Sequence, residues 1–432
     1  MTVATFILSL LAAMALGMPI AYALLVCGVA LMGLMTLTGQ LPAFDSQIIA
    51  QRFVDGADNF PLLAVPFFLL AGEFMNAGGM SRRIVNLAMA YVGHFKGGLG
   101  YVAVIAAIIL ASISGSAVAD TAALAAILIP MMKQAGYPLN RSCGLIAAGG
   151  IIAPVIPPSI GFILFGVAGN VSITKLFLAG IVPGILMGLA IGVAWWIVAR
   201  RDNVPSAPRV AWPERLKLTF NGLWALALPV LIIGGMKFGL FTPTEAAVVA
   251  AVYSFLVGMF VYGELKFSQL YGLILAAGKT TAVVMFLVAA AMVSAWLITV
   301  ANIPTEVAKI LSPFMGNKML LMLVIMVIIV IVGTALDFAP TVLILTPVLM
   351  PVVLKAGIDP VYFGVLFIMN NAIGLITPPV GTVLNVVCGV AKVSMDDAFK
   401  GVMPFLIAEL IVLFALVIFP DIVMVPLKFF MQ

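Results

Sequence analysis

Two short polar segments interrupt apolar stretches of this 432-residue sequence, and each carries groups that could hold an ion. They occupy residues 111–121 and 333–341, and each contains one carboxylate, Asp120 and Asp337 respectively. A carboxylate in apolar surroundings is a functional candidate, because leaving it unpaired in a membrane is costly. Asp337 is the stronger candidate, and its alternative role is the N-cap of a following helix. The candidate residues are Ser114, Gly115, Ser116 and Asp120 in the first segment, and Gly333, Thr334 and Asp337 in the second.

A proline pair follows each polar segment, Pro157–Pro158 in the first case and Pro378–Pro379 in the second. Proline inside a helix removes a backbone donor and clashes with the preceding turn, so the carbonyls just before the pair are expected to lack intrahelical partners. The candidate residues around these breaks are Gly150, Pro154, Pro157 and Ser159 in the first, and Asn371, Gly374, Thr377, Pro378 and Thr382 in the second.

Freed carbonyls and hydroxyl groups in this arrangement can bind Na⁺, while the N-termini of half-helices present N–H groups to an anion such as a carboxylate. For the Ser and Thr residues, a helix cap or a local backbone hydrogen bond is the competing interpretation. The residues expected to contact Na⁺ are Ser114, Ser116, Gly150, Gly333, Asp337, Gly374 and Thr377.

The elements that must position these groups are helical. Each polar segment lies between two apolar arms that we expect to be too short to cross the bilayer, which predicts re-entrant hairpins at about 98–136 and 319–357. The non-helical tip of such a hairpin must be buried in protein or line a wet cavity. The proline pairs predict transmembrane helices broken near their middle, at about 140–169 and 360–391.

Composition identifies the class of protein. Of all residues, 64% are hydrophobic and 9% are charged, and the mean hydropathy is +1.27. Several apolar runs approach the ~20 residues that a helix needs to span a bilayer, and none shows the alternation of a membrane barrel. The sequence therefore predicts an all-α polytopic membrane protein. The net charge of +5 does not imply nucleic-acid binding, because Lys and Arg in a membrane protein accumulate on its cytoplasmic side.

The two halves of the chain repeat each other. Six pairs of Gly or Pro residues are separated by 221 positions: Pro130 and Pro351, Gly136 and Gly357, Pro157 and Pro378, Pro158 and Pro379, Gly180 and Gly401, and Pro183 and Pro404. A basic connection at 200–220 separates the repeats 1–199 and 221–432, and the positive-inside rule places it in the cytoplasm. Internal repeats are typical of secondary transporters, whose binding sites lie at mid-membrane between the halves.

Six segments together resemble the large membrane subunit of tripartite ATP-independent periplasmic (TRAP) transporters, of the ion-transporter superfamily. They are residues 17–22 (GMPIAY), 114–120 (SGSAVAD), 153–159 (APVIPPS), 241–246 (FTPTEA), 337–340 (DFAP) and 377–381 (TPPVG). The resemblance implies two inverted repeats, an elevator-type mechanism, hairpin tips at 114–116 and 333–337, and helix breaks at 150–159 and 374–379.

The resemblance also implies a function and partners. These are Na⁺-coupled uptake of an organic acid across the bacterial inner membrane, with the acid delivered by a periplasmic binding protein. A small four-helix membrane subunit is required as well, and we expect it to be a separate polypeptide. No cofactor is expected besides Na⁺ as the coupling ion.

Three alternatives compete with this interpretation. A stand-alone Na⁺-coupled dicarboxylate symporter of the same superfamily would share the paired hairpins but need no binding protein. An intramembrane enzyme finds little support, because the sequence has no His-Glu-x-x-His motif and its single histidine, His94, has no evident catalytic partners. A passive channel is less consistent with broken hairpins than alternating access is.

Overall fold

A computed structural model of the chain describes residues 2–41, 44–202, 204–206 and 208–431. Met1, Gln432, Asn203 and Ala207, which belong to the expected halves and linker, lie outside the described residues, as do Pro42 and Ala43. Within the described ranges the structure is all-helical, and ten helical segments are long and apolar enough to cross a membrane. The prediction of a polytopic helical membrane protein is therefore confirmed.

The first half contains ten α-helices among the described residues, and the last of them ends with two basic residues, Arg200 and Arg201. The first five are α1 (Thr2–Ala15), α2 (Ile20–Leu37), α3 (Ser46–Ala57), α4 (Ala64–Ala77) and α5 (Met80–Val92). The next five are α6 (Gly98–Ser114), α7 (Ala117–Gln134), α8 (Leu139–Gly150), α9 (Ile160–Gly169) and α10 (Ile173–Arg201).

The two helices that flank the linker expected at 200–220 extend into its charged sequence, since α10 ends at Arg201 and the second half begins with α11 at Trp212. Its first helices are α11 (Trp212–Lys237), α12 (Pro243–Leu256), α13 (Leu270–Val300) and α14 (Ile303–Leu311). The others are α15 (Lys318–Ala335), α16 (Phe338–Lys355), α17 (Pro360–Gly374), α18 (Thr382–Ala391), α19 (Met395–Ile418) and α20 (Asp421–Phe430).

One group of helices consists of α1–α5 from the first half and α11–α14 from the second half. In it α4 packs against α12, α13 packs against α2, α3 and α4, and α5 packs against α11. Helix α12 begins with a capping box, in which the Thr242 amide donates to Glu245 Oε2 at 2.8 Å and the Glu245 amide donates to Thr242 Oγ1 at 3.3 Å. This box satisfies N–H groups that a helix start leaves unpaired.

An ion-pair cluster joins α5 to the segment that follows α12. Arg82 and Arg83 donate to the two oxygens of Glu264 at 2.5 and 2.8 Å. The Arg83 guanidinium also lies 3.7 Å from the centroid of the Tyr262 ring. These contacts fix the start of α5 against residues 262–264.

The helices α6–α10 and α15–α19 form a second group in which the two halves interlock. Helix α19 packs against α8, and α10 packs against α17. Likewise α7 packs against α18, and α9 packs against α16. Small residues allow close approach, as between α8 and α19, where a Cβ on Gly144 would collide with the Gly401 backbone.

The arms of the two expected hairpins are longer than predicted. Three of the four, α7, α15 and α16, have 18 residues and qualify by length and composition as membrane spans, whereas α6 has 17 residues. Eighteen residues extend about 27 Å, close to the ~30 Å thickness of the hydrocarbon core. These three arms are therefore longer than expected, because α15 continues to Ala335 and α16 begins at Phe338, inside the polar segment 333–341. That the hairpins are re-entrant stays a prediction.

Candidate functional site

The first polar segment forms the turn between α6 and α7. Gly115 adopts a left-handed conformation with φ of +63°, and a Cβ at this position would collide with the Pro158 carbonyl. Glycine therefore allows the turn to contact the first proline pair. Ser116 is the N-cap of α7, and its Oγ accepts from the Ala119 amide at 3.4 Å.

Asp120 lies in the first turn of α7 and is buried, with 2% of its surface exposed. The Ser114 hydroxyl donates to Asp120 Oδ1 and accepts from the Ser116 amide at 3.2 Å. The other carboxylate oxygen, Oδ2, is buried without a hydrogen-bond partner among the described residues. The tip therefore holds one carboxylate oxygen in place and leaves the second available.

The first helix break runs from the end of α8 at Gly150 to the start of α9 at Ile160. Ser159 caps α9 by accepting from the Phe162 amide at 3.1 Å, and its hydroxyl donates to the Pro154 carbonyl at 2.5 Å. Gly150 faces α7, because a Cβ on this residue would collide with the Thr121 hydroxyl. That hydroxyl oxygen is buried, and no described residue forms a hydrogen bond with it.

The second polar segment forms the connection between α15 and α16. Asp337 occupies the N-cap position of α16, but its side chain makes no capping hydrogen bond. Its Oδ1 instead accepts from the Thr382 hydroxyl at 3.2 Å, which links the tip to the start of α18. Thr334 is bound locally, since its hydroxyl donates to the Ile331 carbonyl at 2.8 Å.

The second helix break separates α17 from α18 and lies against this tip. A Cβ on Gly374 would lie 2.7 Å from the Gly333 carbonyl oxygen, so the two backbones are in direct contact. Asn371 Nδ2 donates to the Phe338 carbonyl at 2.8 Å, while its Oδ1 is buried without a partner in the described part of the chain. The Thr377 hydroxyl donates to the Ile373 carbonyl at 3.0 Å.

The carbonyls of Gly150 and Gly374, the glycines at which the two breaks begin, each accept a backbone hydrogen bond. The Gly150 carbonyl accepts from the Ala153 amide at 3.2 Å, and the Gly374 carbonyl accepts from the Thr377 amide at 3.1 Å. The chain turns after each helix end, so an amide three residues ahead replaces the missing helical donor. A carbonyl oxygen has two lone pairs, and one at each position remains available to a cation.

The structure thus brings the predicted residues together in two groups. Residues 114–120 meet the first break at 150–159, and residues 333–337 meet the second break at 371–382. The groups are connected through Phe338, whose ring would collide with a Cβ on Gly161 at the start of α9. Two proline bonds, Pro157–Pro158 and Pro378–Pro379, are cis.

Three buried polar residues were not singled out from the sequence. Thr121 follows Asp120 directly, and Asn370 donates its Nδ2 to the Met326 carbonyl at 2.7 Å while its Oδ1 has no partner in the described ranges. Glu409 in α19 is fully buried, and neither of its carboxylate oxygens has a hydrogen-bond partner there. A single carboxylate within an apolar run was the available sequence signal for Glu409.

Comparison with known proteins assigns the family. A family model described as "Tripartite ATP-independent periplasmic transporter, DctM component" matches residues 7–422. The chain is 56% identical to the 2,3-diketo-L-gulonate TRAP transporter large permease protein YiaN of Escherichia coli K12, over 99% of both chains. It is 39% identical to the C4-dicarboxylate TRAP transporter large permease protein DctM of Pseudomonas aeruginosa, over 86% of this chain and 87% of that one.

A solved structure shares the fold at low sequence identity. The YdaH transporter of Alcanivorax borkumensis superposes with a TM-score of 0.64 and 15% identity, covering 85% of this chain and 86% of the other. The family match spans nearly the whole sequence, and the two relatives are aligned over most of their length. The chain therefore belongs to the DctM-component family of TRAP transporters and is a large permease subunit of that class.

Proposed function

We propose that this large permease subunit imports an organic acid together with Na⁺ across the bacterial inner membrane. Two relatives bear names that specify 2,3-diketo-L-gulonate and C4-dicarboxylate as their substrates, and both are organic acids. The family description is that of a tripartite system. We extend to this chain the same organisation, with a small four-helix membrane subunit and a periplasmic binding protein that delivers the acid.

The observation that carries the proposal is the accumulation of unpartnered oxygens at the two tips. In the first half these are Asp120 Oδ2 and Thr121 Oγ1, next to Gly150. In the second half the unpartnered oxygen is Asn371 Oδ1. This atom lies next to Gly333, since a Cβ on Gly333 would be 3.3 Å from it. Buried polar atoms rarely remain without partners, and each such atom calls for an explanation such as a bound ion. Oxygen ligands suit a hard cation such as Na⁺.

The proposed Na⁺ ligands combine these atoms with those expected from the sequence. Thr121 and Asn371 are added to the predicted set of Ser114, Ser116, Gly150, Gly333, Asp337, Gly374 and Thr377. Four helices, α7, α9, α16 and α18, also begin at the tips or breaks. Helix N-termini carry unpaired N–H groups and positive dipole ends, so they favour the carboxylate of the substrate.

The proposal includes an inverted repeat and an elevator-type movement. Helices α6–α10 and their counterparts α15–α19 begin 220 to 222 residues apart, which supports equivalent roles for the two halves, 1–199 and 221–432. The interlocked helices α6–α10 and α15–α19 would move as one body that carries both tips. Helices α1–α5 and α11–α14 would form the scaffold that holds the small subunit.

Reconstituted transport tests the proposal. Proteoliposomes would contain this chain alone or with a small membrane subunit encoded by a neighbouring reading frame. The cognate binding protein would be loaded with an acid chosen by thermal-shift screening. We expect uptake only with all three proteins and an inward Na⁺ gradient.

Two results would contradict separate parts of the proposal. Uptake by the chain alone would identify a stand-alone symporter. Equal uptake under Na⁺ and K⁺ gradients would remove Na⁺ as the coupling ion.

A further inference from the structure

A cavity of about 790 Å³ lies on the surface of α6 and α10, away from the hairpin tips. One wall is the face of α10 that carries Gly188, Gly192, Trp196 and Arg200. The opposite wall comes from α6, from Tyr101 to Ile108, and Phe95 and Lys96 of the preceding connection close one end. Its lining is mostly apolar, and we refer to it as the α6–α10 groove.

The length of the groove corresponds to one leaflet of a bilayer. Gly188 and Arg200 are twelve residues apart on α10, which amounts to about 18 Å along the helix axis. This is slightly more than half of the ~30 Å hydrocarbon thickness. Gly192 keeps the wall low, because a Cβ there would meet no atom within 4 Å, whereas Gly188 is packed against Ile108 at the far end of the groove. A single acyl chain therefore has room along this face.

Positive charge is confined to one end of the groove. Arg200 is exposed, and its guanidinium lies 4.0 Å from the centroid of the Trp196 ring, which is itself 46% exposed. The second cation, Lys96, is also exposed. Arg200 belongs to the expected cytoplasmic linker, and Lys96 lies beside it because the Gly97 amide donates to the Pro205 carbonyl. This end would therefore lie at the level of the headgroups of the inner leaflet.

The charged end is rigidly held. Trp195 Nε1 donates to the Gly97 carbonyl at 2.8 Å, and the Gly97 amide donates to the Pro205 carbonyl at 3.3 Å. The Tyr137 hydroxyl donates to the same Pro205 carbonyl at 3.1 Å. These bonds fix the connection that carries Lys96 against the end of α10 that carries Arg200, so the spacing of the two cations is set by the fold.

We propose that the α6–α10 groove binds one anionic phospholipid from the leaflet that faces Lys96 and Arg200. Its acyl chain would lie along Leu189 and Gly192, and its phosphate would sit between the two cations. Charge complementarity selects an anionic headgroup, because basic pockets between transmembrane helices on the cytoplasmic side bind such headgroups. This site is separate from the tips and does not depend on the transported acid or ion.

Native mass spectrometry of the purified chain tests the proposal. The protein would be mixed with equal amounts of phosphatidylglycerol and phosphatidylcholine of identical acyl chains. Two variants disrupt the site: Arg200→Gln removes one cation, and Gly192→Leu fills the apolar part with a side chain that meets no protein atom at its Cβ. Matched controls are Lys237→Gln, a cation near the Phe429 ring, and Gly234→Leu, an equally open glycine of α11.

The expected result is one retained phosphatidylglycerol per chain, preferred at least several-fold over phosphatidylcholine. The preference should disappear in Arg200→Gln, and retention of both lipids should fall in Gly192→Leu, while both controls bind like the unmodified chain. Equal retention of the two lipids by the unmodified chain would overturn the anionic selectivity. Undiminished phosphatidylglycerol binding in both site variants would show that the lipid does not bind in the α6–α10 groove.

Discussion

Asp337 shows how a residue can occupy a capping position without capping. It precedes α16, yet its carboxylate accepts from the Thr382 hydroxyl at 3.2 Å instead of from an amide of its own helix. Asp359, at the start of α17, behaves in the ordinary way and accepts from two amides at 2.8 and 3.0 Å. The contrast favours a role for Asp337 in binding between α16 and α18.

We expect Asp337→Ala to raise the Na⁺ concentration for half-maximal uptake at least about tenfold. A hydrogen-bonding contact to a charged group contributes roughly 1.5–3 kcal/mol. A change of ~1.4 kcal/mol in binding free energy corresponds to a tenfold change in affinity. The thermal stability of Asp337→Ala should change little, since no cap bond is lost. The control Asp359→Ala should lose about 1 kcal/mol of stability and keep its sodium response. A normal sodium response in Asp337→Ala would exclude this residue from the ion site.

Thr121→Val replaces a buried, unpartnered hydroxyl by a methyl group of similar size. Removing a polar atom that has no partner should leave stability unchanged or raise it slightly. Uptake should nevertheless require several-fold more Na⁺, if the Thr121 oxygen binds the ion beside Gly150. Thr299→Val is a control for the substitution itself at an exposed position of α13 remote in sequence from both tips, where the hydroxyl donates to the Ala295 carbonyl. A loss of stability without a change in sodium response would argue against this assignment.

The sequence identified the carboxylates at the tips but not the pairing of individual atoms. Asp120 and Asp337 stand out because they interrupt apolar runs. Whether the Thr121 hydroxyl has a partner depends on which groups α8 presents to it, and no local pattern encodes that. Glu409 also interrupts an apolar run, but it lies in α19, outside the two polar segments and the two helix breaks.

At the scale of elements, the second tip is joined to the second break by contact between Gly333 and Gly374. A methyl group on Gly374 would press against the Gly333 backbone, which cannot move aside as a side chain could. We expect Gly374→Ala to lose about 1–3 kcal/mol of stability through overpacking, together with the stabilisation by Na⁺ in a thermal-unfolding assay.

Gly389→Ala is the control for this contact, because Gly389 lies in α18 and a Cβ there meets no atom within 4 Å. Alanine favours a helix over glycine by about 1 kcal/mol, so this variant should be as stable as the unmodified chain or more so. If Gly374→Ala behaved like Gly389→Ala, the tip and the break could not be in contact in the protein as it functions.

The cluster at Glu264 predicts a pH dependence of stability. Partial burial would raise the pKa of Glu264, but the Arg83 and Arg82 guanidinium groups outweigh it and hold the pKa below the usual value of 4.5. A depressed pKa in the folded state stabilises the protein above the unfolded-state value, and this contribution fades as the pH falls through the folded-state value. The unmodified chain should therefore melt at a higher temperature than Glu264→Gln at pH 7, and the difference should narrow below about pH 4.5.

The comparison can be made by scanning fluorimetry between pH 4 and pH 7. Glu214→Gln is a suitable control, because Glu214 is exposed and forms no ion pair within the part of the chain that the structure describes. A difference between unmodified chain and Glu264→Gln that stayed constant over the whole range would show that the ion pair does not carry the effect.

The breaks in the helices were predictable, whereas the helix lengths were not. Gly115 and the proline pairs are strong local signals, and the helices stop where these residues indicated. The lengths of α15 and α16 were underestimated at the tip, because α15 continues to Ala335 and α16 begins at Phe338, both inside the polar segment 333–341. Helical hydrogen bonding continues through residues such as Gly333 and Thr334, so a polar segment alone does not end a helix.

At the scale of the molecule, the first tip touches the proposed scaffold directly. A Cβ on Gly72 of α4 would lie 3.5 Å from the Ser114 Cβ, within the roughly 3.5–4.5 Å that a disulfide requires. Gly72→Cys with Ser114→Cys, in a chain whose three native cysteines are replaced, should form a disulfide on oxidation. Because Ser114 is also a proposed Na⁺ ligand, the reduced double variant sets the reference level of uptake. If the tips move relative to α4 during transport, oxidation should abolish this uptake and reduction should bring it back to the reference level.

The reduced and oxidised forms of the same double variant provide the comparison, and each single-cysteine variant controls for the oxidant. Complete cross-linking with undiminished uptake would rule out movement between α4 and the first tip. Such a result would leave the ion-site assignments untouched, since those are tested by sodium response.

The repeat in the sequence predicted two related halves but not how they pack. The spacing of Gly and Pro residues contains no information on which helix of one half covers which helix of the other. In the structure α7 packs against α18, and α9 packs against α16. These pairings depend on side-chain shape between helices about 170 residues or more apart in the sequence, which a periodic pattern does not specify.

This exchange of packing surfaces has a consequence for how the protein is made. When a ribosome has delivered α1–α10 to the membrane, the surfaces of α7 and α9 that the later helices cover are still in contact with lipid. They gain their partners only after α16 and α18 have been inserted. Newly synthesised N-terminal halves should therefore persist as an assembly intermediate, dependent on insertion factors and open to proteolysis until translation is complete.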